Sequence, residues 1–199
     1  MIDKPTLAFT HAVKTGGTTF SSILMNNFHF GYCDAVQLYH NENIQKFYSY
    51  LFPRDFEKYF SMHPKIKCFA GHFVRATPEV CETFPQLRFI TFLRNPISLY
   101  FSTIQWQLKE KGLDRNEIEE HIANNPENQE LRNYLCFFLS GTDDAQKSIE
   151  HLNHNFFFVG ITERFDESLI VLKKLLGTDF DCRYKSQNIS KVNSNENFL

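Results

Sequence analysis

Four short runs of near-continuous apolar residues punctuate the chain: TLAFT at 6–10, IKCFAG at 66–71, RFITFL at 88–93 and NFFFVGI at 155–161. Runs of that length without alternation are what strands covered on both faces of a sheet require. Between them, apolar residues recur three and four apart. That spacing predicts helices over 18–27, 44–60 with a break at Pro53, 78–84, 96–111, 115–124, 128–139, 143–152 and 166–176. The last is the best marked: Asp166 caps its start, Gly177 ends it, and Leu169, Leu172, Leu175 and Leu176 share one face. Short strands alternating with helices predict an α/β fold with a mainly parallel central sheet flanked by helices. The stretch 28–45 follows neither period and reads as an irregular, substrate-facing loop. The 199 residues are expected to form a single domain with a polar, Asn-rich tail from about 186.

Composition narrows the function class. Hydrophobic residues make up 42% and charged residues 22%, which is ordinary globular usage and excludes a disordered chain. A formal net charge of -2 argues against a dedicated nucleic-acid binder, which needs clustered Lys and Arg. The 22 phenylalanines belong mostly to strands and core helices. Five scattered cysteines (Cys33, Cys68, Cys81, Cys136, Cys182) form no C-x-x-C pair, so no zinc or redox motif is indicated and reduced, mostly buried thiols are expected. Met1 to Thr6 are too few and too polar for a signal or membrane segment, so a cytoplasmic protein without a membrane span is expected.

Two stretches carry candidate chemistry. HAVKTGGTTF at 11–20 joins the first strand to the first helix. Gly16 and Gly17 permit close backbone approach, the helix start offers unpaired N–H groups, Lys14 adds a charge, and Thr18 and Thr19 add hydroxyls. This is an anion seat, but its lysine precedes the glycines, unlike the G-x-x-x-x-G-K-[ST] order of nucleotide triphosphatases. RFITFLRNPISLYFS at 88–102 puts Arg94 at the carboxyl edge of a strand, followed by an Asn95-Pro96 helix start. Ser98 and Ser102 lie four apart on the following helix. Two anion seats on one sheet edge point to a ligand with phosphate at both ends of a nucleoside.

HAVKTGGTTF resembles the 5′-phosphosulfate loop of sulfotransferases, commonly H-x-P-K-T-G-G-T. FLRNPISLYFS resembles their 3′-phosphate segment, commonly F-L-R-D-P-x-x-R-x-x-S. FFFVGITERFDESLIVLKKLLG resembles the family block F-x-x-V-G-L-T-E-R-F-D-E-S-L at matching distance, and NYLCFFLSG is similar to another recurring stretch. The resemblance covers most of the chain and is strongest to carbohydrate O-sulfotransferases such as those acting on heparan sulfate. It implies a P-loop-like three-layer sandwich and the donor 3′-phosphoadenosine-5′-phosphosulfate (PAPS), with no metal. Lys14, Thr15, Gly16, Gly17, Thr18 and Thr19 would hold the phosphosulfate, with Lys14 also catalytic, and Arg94 and Ser102 would hold the 3′-phosphate.

An acceptor hydroxyl must lose a proton, and histidine is the usual base near neutral pH. Among eight histidines, His121, His151 and His154 lie far from both motifs in polar contexts and read as solvated. His72 ends the strand-like CFAGH, and related glycan sulfotransferases place a catalytic histidine in a similar context. It is the first candidate for the base, with His11 as the alternative or a support for the loop. His40 and Arg75 are substrate-contact candidates, Arg75 equally readable as a surface arginine.

The chain departs from the family pattern at Ala12-Val13, at Asn95 in place of aspartate, and at Leu99 where arginine is frequent. Lys185 and Lys191 read as tail residues rather than nucleotide contacts, and the Asn188 sequon reads as chance. The leading expectation is a PAPS-dependent O-sulfotransferase acting on a carbohydrate or small metabolite. The alternatives are a small P-loop kinase and a non-catalytic nucleotide-binding module. Neither the acceptor nor the oligomeric state is legible in the sequence.

Overall fold

The computed structural model describes residues 5–35, 50–112, 114, 116–117, 120 and 133–185. The core is a five-stranded sheet, all parallel, built from β1 (Thr6–Thr10), β2 (Tyr32–Asp34), β3 (Cys68–Gly71), β4 (Leu87–Leu93) and β5 (Phe156–Ile161) in the order β2-β3-β1-β4-β5. Helices α1 (Gly17–Phe28), α2 (Pro53–Met62), α3 (Pro78–Thr83), α4 (Pro96–Lys111), α5 (Tyr134–Ser140), α6 (Ala145–Asn155) and α7 (Phe165–Leu176) complete the described elements. This is the expected α/β architecture.

Alternation along each strand divides the core between the two faces. Leu7 and Phe9 of β1, Cys68 and Ala70 of β3, and Ile90 and Phe92 of β4 pack with Phe20, Ile23 and Leu24 of α1 and Leu169 and Leu172 of α7. On the other face Ala8, Phe69 and Phe89 pack with Phe56, Tyr59 and Phe60 of α2 and Val80 of α3. Further along that face, Leu99 of α4 and Tyr134, Phe138 and Leu139 of α5 close over Ala12. Leu99 is an apolar wall residue only 7% exposed.

Three expectations change. The stretch 28–45 is not wholly irregular: its described part holds a 3-10 turn (His29–Gly31) and the edge strand β2, whose pairing to β3 compensates for three residues too few to show a period. Residues 50–52 are not helical and helix α2 begins at Pro53, at the expected break; residues 36–49 lie outside the described set. Helix α7 begins at Phe165 after a 3-10 turn (Thr162–Arg164), so Asp166 sits in its first turn and accepts from Tyr184 Oη at 2.7 Å instead of capping. Leu175 is 48% exposed and off the buried face. Of the helix expected at 115–124, residues 116–117 and 120 are described and are helical; the rest of it, the start of that at 128–139, and residues 186–199 fall outside the described residues.

The caps that matter for the site formed as read. Asn95 Oδ1 accepts from the N–H groups of Ile97 (3.0 Å) and Ser98 (3.2 Å), with Pro96 following at the first helical position. The crevice between the carboxyl ends of β1 and β4 is where the chain leaves in opposite directions, towards β2 and towards β5, the place where open α/β sheets bind ligands.

Candidate functional site

The first loop, between β1 and α1, is bound at three consecutive residues by side chains remote in sequence. The N–H of Val13 donates to Tyr134 Oη at 2.9 Å. The carbonyl of Lys14 accepts from Arg94 Nη1 at 2.9 Å, and the carbonyl of Thr15 accepts from Thr162 Oγ1 at 2.8 Å. Both carbonyls are thereby taken up by protein donors. Lys14 (φ 62°) and Gly16 (φ 81°) adopt left-handed backbone, the combination that turns successive N–H groups to one concave side. Left-handed backbone at a lysine costs about 1–2 kcal/mol, offset here by the charge-assisted bond from Arg94.

Helix α1 starts at Gly17, so its first-turn N–H groups have no carbonyl of their own helix to meet. Thr18 is exposed there, whereas Thr15 and Thr19 are buried. The Thr15 hydroxyl turns back onto the Ala12 carbonyl at 2.9 Å, so only the backbone of Thr15 is left to face an anion. Gly17 is required by close approach: a Cβ there would overlap the ring of His11.

His11 is stacked between two rings, with centroid distances of 5.3 Å to Phe9 and 4.2 Å to His72. Burial, reinforced by the neighbouring His72, lowers its pKa to about 3, so it is neutral. His72 follows Gly71, whose φ of 147° turns the chain out of β3 and across the end of β1. Nδ1 of His72 lies 2.5 Å from the His11 carbonyl oxygen. A carbonyl only accepts, so Nδ1 carries the proton and Nε2 keeps its lone pair. Burial lowers the His72 pKa most; the His11 carbonyl and Asp34 oppose that shift, and Arg75 adds to it.

Arg75 is not a surface residue. It is 6% exposed, with its guanidinium 4.2 Å from the centre of the Phe138 ring. Ser102 is 7% exposed on α4. Arg94 is part-buried with Nε 3.9 Å from Glu163 Oε1, and that same oxygen accepts from the Asn95 N–H at 3.0 Å. His151 was read as solvated, but its ring is half-buried against Phe156 at 5.9 Å, and burial lowers its pKa. His154 is exposed; His40 and His121 lie outside the described residues.

Tyr134, Thr162 and Glu163 are the site residues that reasoning from residue chemistry missed. Their signal was present only as the similar stretches NYLCFFLSG and GITERF, which say nothing of what each side chain touches.

Cys68 is buried and the other four cysteines half-buried, all free thiols; burial pushes Cys33 up to about 11. Among the described residues no group of three or more His, Cys, Asp and Glu side chains is arranged to hold a metal ion. No helix among them is long and apolar enough to cross a membrane.

Neither a protein-family model nor a curated protein sequence matches the chain. Among solved structures, the fold is similar to the crystal structure of a sulfotransferase from Alicyclobacillus acidocaldarius, at 15% identity and a TM-score of 0.50, over 95% of this chain and 87% of that one. At that identity the likeness is one of fold: a parallel α/β sandwich of the kind found in that sulfotransferase.

Proposed function

We propose that the chain, as one domain over residues 1–199, is a PAPS-dependent O-sulfotransferase acting on a hydroxyl of a carbohydrate or small metabolite. The observation that carries this reading is the pairing of two anion seats on one sheet edge with a neutral, oriented imidazole beside them. The likeness in fold to a bacterial sulfotransferase supports it.

PAPS supplies an activated sulfuryl group on the 5′-phosphate. The residues fit such a donor: the loop's N–H groups and Lys14 suit a phosphosulfate, while Arg94, just past the end of β4, and Ser102, in the second turn of α4, suit a 3′-phosphate. In the transfer, Nε2 of His72 accepts the proton of the acceptor hydroxyl as its oxygen bonds to sulfur. The bond from sulfur to the bridging phosphate oxygen breaks in line, and Lys14 with the loop amides takes up the charge gathering on the departing phosphate. The product nucleotide is adenosine 3′,5′-bisphosphate. His11 supports the base through its carbonyl and ring and is too depressed in pKa to share the work at neutral pH. Arg75, enclosed beside Phe138, acts on His72 through its charge rather than by reaching out to an acceptor.

Calorimetric titration tests the reading. Wild type should bind adenosine 3′,5′-bisphosphate without magnesium, and Lys14→Ala should weaken that binding. Preference for ATP with magnesium would replace this reading with a kinase, and binding of neither would leave a non-catalytic module.

A further inference from the structure

The turn after β5 touches both anion seats at once. Thr162 Oγ1 stands 2.8 Å from the carbonyl oxygen of Thr15 and 2.9 Å from that of Leu93, so a single hydroxyl proton is shared between the first loop and the last residue of β4. The methyl of Thr162 also packs at the loop: a Cβ on Gly16 would stand 3.6 Å from Thr162 Cγ2. The next residue continues the tie on the β4 side. Glu163 Oε1 accepts from the Asn95 N–H at 3.0 Å and lies 3.9 Å from Arg94 Nε. These contacts span 147 and 68 residues of sequence, so no local helix or strand preference produces them.

We propose that Thr162 and Glu163 are positioning residues that fix the separation between the two anion seats, so that the site measures a nucleoside carrying phosphate at both ends. The inference rests on the sulfuryl-donor reading for its ligand and on the hydrogen bonds alone for its mechanics. A hydroxyl that bonded only one of the two elements would support folding without setting a distance. One that bridges the carbonyls of Thr15 and Leu93 sets a distance by its own two contacts. Glu163 then orients the next two residues of the second element, holding the Asn95 N–H and drawing on the Arg94 guanidinium.

The test compares a ligand with two anionic ends to one with a single end. In Thr162→Val, affinity for adenosine 3′,5′-bisphosphate should fall about 10-fold while that for adenosine 5′-monophosphate falls no more than about 2-fold, and Thr162→Ser should restore the first to within about 2-fold of wild type. Glu163→Ala should act in the same sense, with Glu163→Gln recovering part of the loss because its amide oxygen still accepts from Asn95. A ligand-free readout accompanies these. Amide hydrogen exchange at residues 14–17 should speed up in Thr162→Val at unchanged Tm.

Equal losses for both nucleotides with a lowered Tm that serine does not rescue would overturn the proposal, as would wild-type loop exchange in Thr162→Val. Should wild type bind neither nucleotide, the sulfuryl-donor reading falls, and the amide-exchange result by itself then upholds or overturns the tie between the two elements.

Discussion

Arg94 donates through Nη1 to the carbonyl of Lys14 at 2.9 Å, joining the end of β4 to the one lysine of the first loop. The bond takes up the Lys14 carbonyl and holds Lys14 at its φ of 62°. Arg94 is therefore a structural tie, and under the proposed function it is also the cation for the 3′-phosphate. Arg94→Ala should weaken adenosine 3′,5′-bisphosphate about 10–100-fold, the range of a lost charge-assisted bond. Arg94→Lys should recover only part of it, because an ammonium cannot serve two directions with a planar fork. Calorimetry on the three proteins checks this; full recovery by lysine would mean that only the charge matters.

For His72 the prediction separates chemistry from binding. His72→Asn should reduce kcat by about 10²–10⁴ and leave nucleotide affinity within about 2-fold of wild type. Because burial holds the imidazole below its ordinary value of 6.5, it is the free base throughout the neutral range. The acid limb of kcat/KM should accordingly have its midpoint below pH 6.5, with a plateau above. A midpoint higher than that would remove His72 from the role of base.

His11 makes a stability prediction of definite sign. Its folded pKa of about 3 lies below the ordinary 6.5, so between those values the unfolded chain binds a proton that the folded chain does not. Its contribution to stability is complete above pH 6.5 and is lost as pH falls towards 3. The slope approaches about 1.4 kcal/mol per pH unit, the value for one proton. His72, also depressed, adds in the same sense. In His11→Phe, which keeps a ring between Phe9 and His72, the fall in unfolding free energy from pH 7 to 5 should be shallower. Denaturant titrations at several pH values measure this, and an unchanged slope would contradict the burial of a neutral imidazole.

The sheet and the turns that lead into α1 and α4 were legible because each rests on local rules: continuous apolar runs, an Asn-Pro helix start, and glycines at a helix start. The edge strand at Tyr32–Asp34 was not legible, since its three residues owe their conformation to pairing with β3. His72 stood out by residue type, but its tautomer depends on the carbonyl of a residue 61 positions away. Arg75 was open between solvent and acceptor; packing on Phe138 from α5 turned it inward. Thr15 was expected among the residues that hold the phosphosulfate, and its hydroxyl is bonded to the Ala12 carbonyl instead. What the sequence withheld was in each case a long-range contact or the direction of a side chain.

Tyr134 illustrates the same limit and yields a test. Its hydroxyl accepts from the Val13 N–H at 2.9 Å, and the ring is 7% exposed in the core beneath the loop. Tyr134→Phe keeps the packing and leaves a part-buried donor without that acceptor, at a cost of about 1–2 kcal/mol. Tm should fall by about 2–8 °C for a chain of this length, and nucleotide affinity should fall with it. An unchanged Tm with unchanged affinity would show that the loop does not depend on this bond.

Gly17 offers the sharpest test of how the loop and the base are coupled. A methyl group at this position would overlap the His11 ring, which is itself stacked against Phe9 and His72. Gly17→Ala should therefore destabilise the fold by about 1–3 kcal/mol, as overpacking does, and should also lower kcat by moving His72. If the His11 ring transmits the clash, deleting that ring should relieve it. The double variant Gly17→Ala/His11→Ala should then be less impaired than the two single losses added together. Such coupling is expected only of residues in contact, and exact additivity in both Tm and kcat would mean that Gly17 acts through the helix start alone.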